Sequence, residues 1–171
     1  MKLNNASGPR YLWFVEDKSR FNIIDFVADS KKKLKNRYGH KTGEHHYSKM
    51  PPKIIAEEYL KENGKAIKDY KFYCFHGAIA FLSVEAGKGS AQHVRDYYTM
   101  AWDKAPVAFD GDVPRPVVPF EKPENFDLMA RMAEDLSENF PHVRVDLYNV
   151  DGKPYFGELT YTPENGMTAW Q

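Results

Sequence analysis

The sequence predicts an α+β fold, and three observations support this prediction. Several segments alternate polar and apolar residues around short turns, as β-strands do, and two others have apolar residues at helical spacing. Aromatic residues make up 15% of the chain, a share that suits a strand-rich protein with ring-lined clefts. A chain of 171 residues can bury enough surface to fold as one domain, or as two small lobes, without disulfides or a structural metal.

Composition and charge exclude several classes of protein. Lys and Arg together number 24, as do Asp and Glu, so the net charge is zero, whereas a nucleic-acid-binding domain is normally basic. A single cysteine, Cys74, cannot form a disulfide framework and indicates a reducing, cytoplasmic setting. No apolar run approaches the length of a membrane span, and the N-terminus lacks the apolar region of a signal peptide. We therefore expect a cytoplasmic protein that neither binds nucleic acid nor spans a membrane.

The N-terminal third of the chain predicts a helix and then a loop. Apolar residues from Phe21 to Ala28 recur at helical spacing. The lysine-rich run at 31–35 follows them. We interpret it as the end of this helix, where cations favour the helix dipole, in preference to a phosphate or nucleic-acid patch. Residues 37–52 are polar and interrupted by glycine and proline, so they are predicted to form a loop.

Three strand-like segments follow this loop, at residues 53–60, 69–75 and 78–84. His76 and Gly77 lie between the second and the third segment. Because these two residues suit a short turn, the second and third segments are predicted to form a hairpin.

A second helix is predicted over residues 126–140, where apolar residues recur at four-residue spacing. Pro141 ends it, because proline cannot continue a helix. Residues 86–123, before this helix, contain five prolines and are predicted to cross irregularly between two halves of the chain.

A last hairpin, residues 143–161, turns at Asp151 and Gly152. The loop length decides which side chains share a face, because a shift of one residue moves a whole strand to the other face. We expect a three-residue loop over 150–152 that pairs Asn149 with Lys153. This register collects the apolar residues on one core face, namely Val143, Val145, Leu147, Gly157, Leu159 and Tyr161.

The same register places four polar side chains on the opposite surface. Arg144 lies opposite Glu158, with Asp146 beside both and the hydroxyl of Thr160 nearby. Two neighbouring carboxylates repel unless a cation lies between them, and hard oxygen ligands suit magnesium that bridges phosphates. From the hairpin alone, an ordinary solvated strand face with an Arg–Glu pair is an equally good interpretation.

The hairpin resembles the metal-binding hairpin of ATP-grasp enzymes. The chain is most similar to the TupA-like ATP-grasp family, in the segments PPKIIAEEYL, DYKFYCFHG and RVDLYNVDGKPYFGELTYTPENG. Proteins of that family are associated with teichuronopeptide and other cell-surface polysaccharide synthesis. The resemblance covers most of the chain. It implies an ATP-grasp core of two small lobes, residues 1–60 and 61–171, with ATP between them and a hinge near 60–69.

The resemblance also implies which residues bind ATP. Lys2 would reach the phosphates, the loop after it would cover them, the hinge segment would bind adenine, and Asp69 would hold the ribose hydroxyls. The full implied set is Lys2, Asn4, Ser7, Gly8, Glu57, Glu58, Tyr59, Leu60, Asp69 and Lys71.

Catalysis would fall to Arg144 and Lys2, and Asp146, Glu158 and Thr160 would bind Mg²⁺. Such enzymes phosphorylate a carboxylate, and an amine or another nucleophile then attacks the acyl phosphate. That chemistry needs positioning and charge neutralisation rather than a side-chain nucleophile. The implied substrates are small-molecule or glycan-linked carboxylates and amines.

The chain departs from the family pattern at several points. Ala6 stands for a loop glycine and Thr160 for an asparagine, and the chain begins at the phosphate lysine. We therefore expect an ATP-binding core whose substrate domain is missing, truncated or supplied by another chain. A homodimer is a further hypothesis, because a missing domain would leave one face exposed. A non-catalytic remnant that binds a nucleotide or a partner protein is the alternative. A glycosyltransferase is disfavoured, because Asp110-Gly111-Asp112 lies in a proline-rich loop without a nucleotide-sugar fold around it.

Overall fold

The predicted α+β class is confirmed by a computed structural model, which describes residues 1–36, 38–42, 44–61, 67–107 and 113–166. It contains one two-stranded and one five-stranded antiparallel sheet, with few helices. The chain divides into two compact units, Met1–Tyr59 and Leu60–Gln171. Among the described residues, no helix is both long and apolar enough to cross a membrane.

The first unit contains, in chain order, β1 (Lys2–Leu3), α1 (Ile23–Leu34), α2 (Tyr38–Thr42) and β2 (Ile54–Ile55), with β1 antiparallel to β2. Asn22 caps α1, because its side-chain oxygen accepts hydrogen bonds from the amides of Ile24 and Asp25. The predicted loop over 37–52 is partly helical, since α2 lies within it. The predicted strand over 53–60 is reduced to β2, because within this segment only Ile54 and Ile55 pair with another strand, namely β1.

The second unit contains, in chain order, β3 (Asp69–Phe75), β4 (Ala78–Ala86), β5 (Val94–Tyr98), α3 (Phe126–Ser137), β6 (Val143–Val150) and β7 (Lys153–Thr160). Its strands form one antiparallel sheet in the order β5-β4-β3-β6-β7. The hairpin of β3 and β4, the helix α3 and the hairpin of β6 and β7 all confirm predicted elements, although α3 ends at Ser137 and not at the predicted residue 140. In contrast, β5 lies inside the segment that was expected to be irregular.

One face of this sheet packs on α3 and forms the core. Phe72, Leu82 and Val145 come from three adjacent strands and are fully buried. They join Met129 of α3 in one hydrophobic cluster, and burying each such side chain contributes about 1.5–3 kcal/mol. Cys74 belongs to the same cluster. Because side chains alternate along a strand, the residues between these core positions face the other way.

The turn of the β6–β7 hairpin differs from the prediction. Val150 pairs with Lys153, so the loop contains two residues, Asp151 and Gly152. Their φ angles are 50° and 74°, as the mirror-image turn of a two-residue hairpin requires. The predicted three-residue loop, with Asn149 opposite Lys153, is therefore wrong.

The extra residue that we expected in the turn lies instead in β7, as a bulge at Gly157. Leu147 pairs with Phe156, but Asp146 pairs with Glu158, so Gly157 has no single partner in β6. A Cβ atom at this position would lie 2.9 Å from the carbonyl oxygen of Asp146 and 3.1 Å from the Tyr148 ring. Because Gly157 has no side chain, the bulge can form. The bulge in turn determines on which face of the sheet the β7 side chains beyond it lie.

We expect Gly157→Ala to lower the free energy of unfolding by about 2 kcal/mol, since the added methyl group meets a backbone oxygen that cannot move cheaply. For a chain of this size that is a fall of roughly 4–8 °C in melting temperature. Thermal unfolding followed by circular dichroism measures it. Lys153→Ala, at an exposed position of the same strand, is the control, and equal melting of the two variants would contradict the steric argument.

Candidate functional site

The face of the five-stranded sheet opposite α3 is polar and charged. Lys71 in β3 lies between Ser83 of β4 and Asp146 of β6, and Asp69 lies beside Glu85. Because directly paired residues share a face, five strands contribute charged side chains to one surface. We call this set the charged face: Asp69, Lys71, Glu85, Arg95, Arg144, Asp146 and Glu158.

Asp146 is the centre of the charged face and is almost completely buried, with 2% of its surface exposed. Arg144 binds it through two parallel hydrogen bonds, Nε to Oδ1 at 2.7 Å and Nη2 to Oδ2 at 2.8 Å. Lys71 Nζ lies 2.6 Å from the same Oδ2 and 2.7 Å from Oδ2 of Asp69. Two cations therefore share the Asp146 carboxylate, and charge-assisted bonds of this kind are among the strongest in proteins.

Arg144 also connects this centre to β7. Its Nη2 donates to Thr160 Oγ1 at 3.0 Å and lies 3.3 Å from Glu158 Oε1. The strand partners differ from those predicted: Asp146 pairs with Glu158, and Arg144 pairs with Thr160, because of the bulge. The structure nevertheless brings all four residues onto one surface.

The two cations of this centre stay charged. Burial by itself lowers the pKa of Lys71 and of Arg144, but the neighbouring carboxylates, above all Asp146, outweigh it and raise both. Burial also works against ionisation of Asp146, yet Lys71 and Arg144 hold its pKa below the ordinary value. The pKa of Asp69 is raised, since burial dominates and Asp69 shares its lysine with Asp146.

Glu85 is a member of the charged face that the sequence analysis missed. Its side chain is 98% buried, and Arg95 contacts its Oε1 at 2.7 Å through Nε and through Nη2. Burial alone would raise the pKa of Glu85, but the positive charges of Lys71, Arg95 and Lys88 outweigh it, so the pKa lies below the ordinary value. The alternation of β4 continues past the predicted strand end at residue 84, and following it one position further would have found this residue.

One buried carboxylate oxygen on this surface, Asp69 Oδ1, has no hydrogen-bond partner within the described residues. Two neighbouring groups are better satisfied, because Glu85 Oε2 lies 3.5 Å from His93 Nε2 and the Ser83 hydroxyl interacts with Tyr73. An unsatisfied buried polar group costs about 1–3 kcal/mol. Asp69 Oδ1 therefore marks the position on the charged face where a hydroxyl or an N–H group would gain a hydrogen bond.

In the first unit the structure pairs two residues that the resemblance assigns to ATP. Lys2 Nζ lies 2.9 Å from Glu57 Oε1, and both side chains are partly exposed. The Asn4 amide donates to the carbonyl of Pro51 at 3.0 Å and accepts from the amide of Lys53 at 2.7 Å. Asn4 thus fastens the chain after β1 to the chain before β2.

The other residues assigned to the nucleotide are more exposed. Ser7 is exposed and forms a side-chain hydrogen bond with Tyr38, while Gly8 has a φ of 94° and open space around it. Glu58 and Tyr59 are also exposed, and the Tyr59 ring lies 5.3 Å from that of Phe14.

Some predicted features fall wholly or partly outside the described residues. Leu60 is half-buried and begins the second unit. The hinge predicted near 60–69 includes residues 62–66, and the Asp110-Gly111-Asp112 segment lies at 108–112. Both of these stretches are outside the part of the chain that the structure describes.

Within the described ranges, no group of three or more His, Cys, Asp or Glu side chains is arranged to hold a metal ion. Asp146 and Glu158 nevertheless face each other across β6 and β7, with the Arg144 guanidinium contacting both. With the Thr160 hydroxyl they offer hard oxygen donors. Magnesium is usually bound through one or two carboxylates together with phosphate oxygens. Both oxygens of Asp146 already accept hydrogen bonds from Arg144, and Lys71 donates to one of them as well, so a magnesium ion would have to displace a cation from this carboxylate.

The α+β architecture, with its antiparallel sheets and one charged sheet face, is consistent with an ATP-grasp fold. A family model described as TupA-like ATPgrasp matches residues 1–170. The chain therefore belongs to the TupA-like ATP-grasp family. No curated protein and no solved structure gives a significant match to it.

Asp146→Asn is expected to lower the free energy of unfolding at neutral pH by about 3 kcal/mol, because it leaves two buried cations short of countercharge. The melting temperature should fall by roughly 6–12 °C. Differential scanning calorimetry measures the change. Asp135→Asn, on the exposed side of α3, removes the same charge outside the cluster and should melt with the wild type.

The effect of Asp146→Asn should depend on pH. The pKa of Asp146 is lower in the folded than in the unfolded chain, so folding favours its carboxylate. This contribution is fully present above the unfolded value of about 3.9 and is lost as the pH falls through the folded value. We expect the gap in melting temperature between the wild type and the variant to narrow below about pH 4. A gap that stays constant down to pH 2 would rule out the ion pair as its cause.

Proposed function

We propose that this protein binds ATP and Mg²⁺ and acts as a carboxylate–amine ligase in cell-surface polysaccharide modification. The observation that carries the proposal is the buried cluster of Lys71, Asp146 and Arg144, with Glu158 at its edge. Membership of the TupA-like ATP-grasp family supports the class of protein. The cluster supports the location of its phosphate and metal chemistry.

Arg144 and Lys71 are the cations suited to phosphate in the second unit. Both are fixed by Asp146, so their positions do not have to be organised when a substrate binds. Preorganised cations stabilise charge that develops during phosphoryl transfer. In this proposal Arg144 contacts the transferring phosphoryl group, and Lys71 contacts a phosphate or the acceptor.

Lys2 has the corresponding role in the first unit. Its ion pair with Glu57 is partly exposed, and such pairs contribute little stability, so Lys2 can exchange Glu57 for a phosphate at low cost. Asn4, Ser7 and Gly8 would cover the phosphates. The adenine would contact the chain from Glu57 through Glu58 and Tyr59 to Leu60.

The ribose is assigned to Asp69. Its buried Oδ1 has no hydrogen-bond partner in the described structure, and a ribose hydroxyl would satisfy it. Asp146, Glu158 and Thr160 would hold Mg²⁺. When bound, this ion supplies charge neutralisation for the phosphate oxygens.

The proposed reaction moves the γ-phosphoryl group of ATP to a substrate carboxylate, which gives an acyl phosphate and ADP. An amine then attacks the acyl carbon, an amide bond forms, and inorganic phosphate leaves. The chain's own residues bind, orient and neutralise charge, as phosphoryl transfer requires. A cytoplasmic setting, where ATP is available, belongs to the same proposal.

A non-catalytic nucleotide-binding protein is the second candidate. It is favoured by the Asp146 carboxylate, both of whose oxygens already accept hydrogen bonds from Arg144, while Lys71 contacts one of them as well. An ion pair this complete could serve the fold alone. Binding and turnover are therefore measured separately.

Mg·ATP should raise the melting temperature of the wild type. At a ligand concentration of 100 times the dissociation constant the gain is about 2.7 kcal/mol, or roughly 5–11 °C. We expect Glu158→Gln to lose most of the magnesium-dependent part of this shift. Thermal unfolding with ATP alone, Mg²⁺ alone and both together separates the contributions.

Glu134→Gln is the matched control for that measurement, because Glu134 is an exposed glutamate on α3, on the other side of the sheet. It should shift as the wild type does. No shift at millimolar Mg·ATP would exclude nucleotide binding. If Mg·ATP raises the melting temperature of Glu158→Gln as much as that of the wild type, this hairpin is excluded as the metal site.

Turnover distinguishes the ligase from the non-catalytic protein. We expect ADP release that depends on a carboxylate from a panel of amino acids and uronic acids, with hydroxylamine as the trapping amine. Arg144→Lys keeps the charge but loses the bidentate contact, so it should lower the rate by more than about tenfold. If the protein binds ATP but releases no ADP with any acceptor of the panel, the ligase proposal is wrong and the non-catalytic nucleotide-binding protein replaces it.

A further inference from the structure

The first unit has a cationic groove that the proposed function does not use. It is a cavity of about 410 Å³ between the turn Pro9–Tyr11 and the C-terminal end of α1. Four cations and one carboxylate line it, namely Arg10, Lys32, Lys33, Lys35 and Asp29. At one edge Asn36 donates a hydrogen bond of 2.9 Å to the buried Tyr11 hydroxyl, which ties α1 to the turn.

The carboxylate of the groove is already neutralised. Asp29 Oδ2 accepts hydrogen bonds from Lys33 Nζ at 2.6 Å and from the indole of Trp13 at 3.0 Å. The hydrogen bond from Lys33 holds the pKa of Asp29 below its ordinary value. The charges of Asp29 and Lys33 therefore cancel, and the groove keeps the three positive charges of its other cations.

Those three cations, Arg10, Lys32 and Lys35, form no ion pair with any described residue. The chain as a whole has a net charge of zero, so this positive surplus is local. All three side chains are exposed, so solvent screens much of their mutual repulsion, and an anion bound among them would neutralise the rest.

The helix dipole explains only part of this arrangement. Lys32 and Lys33 occupy the last turn of α1, where cations are favoured. Arg10 belongs to a different element and reaches the cavity from the turn that forms its other wall. A second element that adds a cation to the same cavity is the arrangement expected of an anion-binding site.

We propose that the cationic groove binds the phosphate groups of a soluble ligand that carries two or more negative charges. A single carboxylate would leave most of the positive surplus uncompensated, whereas a pyrophosphate or phosphomonoester group would match it. The guanidinium of Arg10 suits bidentate contact with phosphate oxygens, and the lysines act as point charges around it. The groove shares no residue with the ATP site proposed above, so the two proposals stand independently.

The test is a titration of the ¹⁵N-labelled full chain with inorganic pyrophosphate, without ATP or Mg²⁺. The indole N–H of Trp13 reports on the groove, because it donates to Asp29. The indole of Trp102 donates to the carbonyl of Phe120 in the second unit and serves as an internal reference. We expect a saturable shift of the Trp13 signal that weakens with added NaCl, and a fixed Trp102 signal.

Variants assign the shift to the groove. The triple variant Arg10→Gln, Lys32→Gln, Lys35→Gln should weaken pyrophosphate binding by more than about tenfold, since it removes three charge-assisted contacts. The control triple variant Lys18→Gln, Arg20→Gln, Lys31→Gln loses the same charge from exposed positions of this unit and should bind as the wild type does. Lys2→Gln should also retain binding, which separates the groove from the proposed phosphate loop.

Several outcomes would overturn the proposal. One is no Trp13 shift up to about 10 mM pyrophosphate, which excludes useful affinity. If both triple variants bind pyrophosphate equally weakly, overall charge and not the groove accounts for the binding. Binding to vesicles containing phosphatidylglycerol, without a response to pyrophosphate, would assign the groove to a membrane surface instead. If the triple variant alters the Trp102 signal and is misfolded, the single variant Arg10→Gln decides the same question.

Discussion

The Asp146 carboxylate holds two cations on one face of the five-stranded sheet, and the neighbouring charges take their positions from it. Lys71 reaches it from β3 and Arg144 from its own strand, while Glu158 and Thr160 in β7 contact the same guanidinium. Buried ion pairs contribute little net stability, because desolvation offsets their attraction. Their contribution here is geometric: three strands meet at one set of charges, so a slip of any strand would leave a buried charge without a partner.

The two faces of this sheet have different roles in the second unit: one stabilises the fold and the other carries the charged side chains. One face packs on α3 through apolar side chains such as Phe72 and Val145, and that burial supplies most of the stability. The other face carries the charges, and it can do so because the first face already holds the strands together. The alternation of side chains along β3, with Lys71 next to Phe72, is the simplest expression of this division.

Sequence patterns predicted α3 and four of the five strands of this unit, but not β5 or the details of pairing. An extra residue in the β6–β7 hairpin could lie in the turn or in a strand, and the alternation of residues fits both positions. Local chemistry decides it: Asp151 and Gly152 adopt the two-residue turn, and Gly157 accepts the bulge. Glu85 was missed for a related reason, because the apolar run of β4 ends before the strand does. The triple contact at Asp146 joins residues 75 positions apart and depends on strand order, which a single sequence does not contain.

The burial of Cys74 has a practical consequence for studies of motion in this protein. It is the sole cysteine of the chain, its side chain is completely buried in the core, and burial raises the pKa of its thiol. A thiol of this kind reacts slowly, because the reactive thiolate is both scarce and inaccessible. The wild-type chain is therefore a nearly silent background for spin or fluorescent labels attached to cysteines introduced on either unit. Under longer exposure to a thiol reagent, modification of Cys74 itself would report how often the sheet and α3 separate.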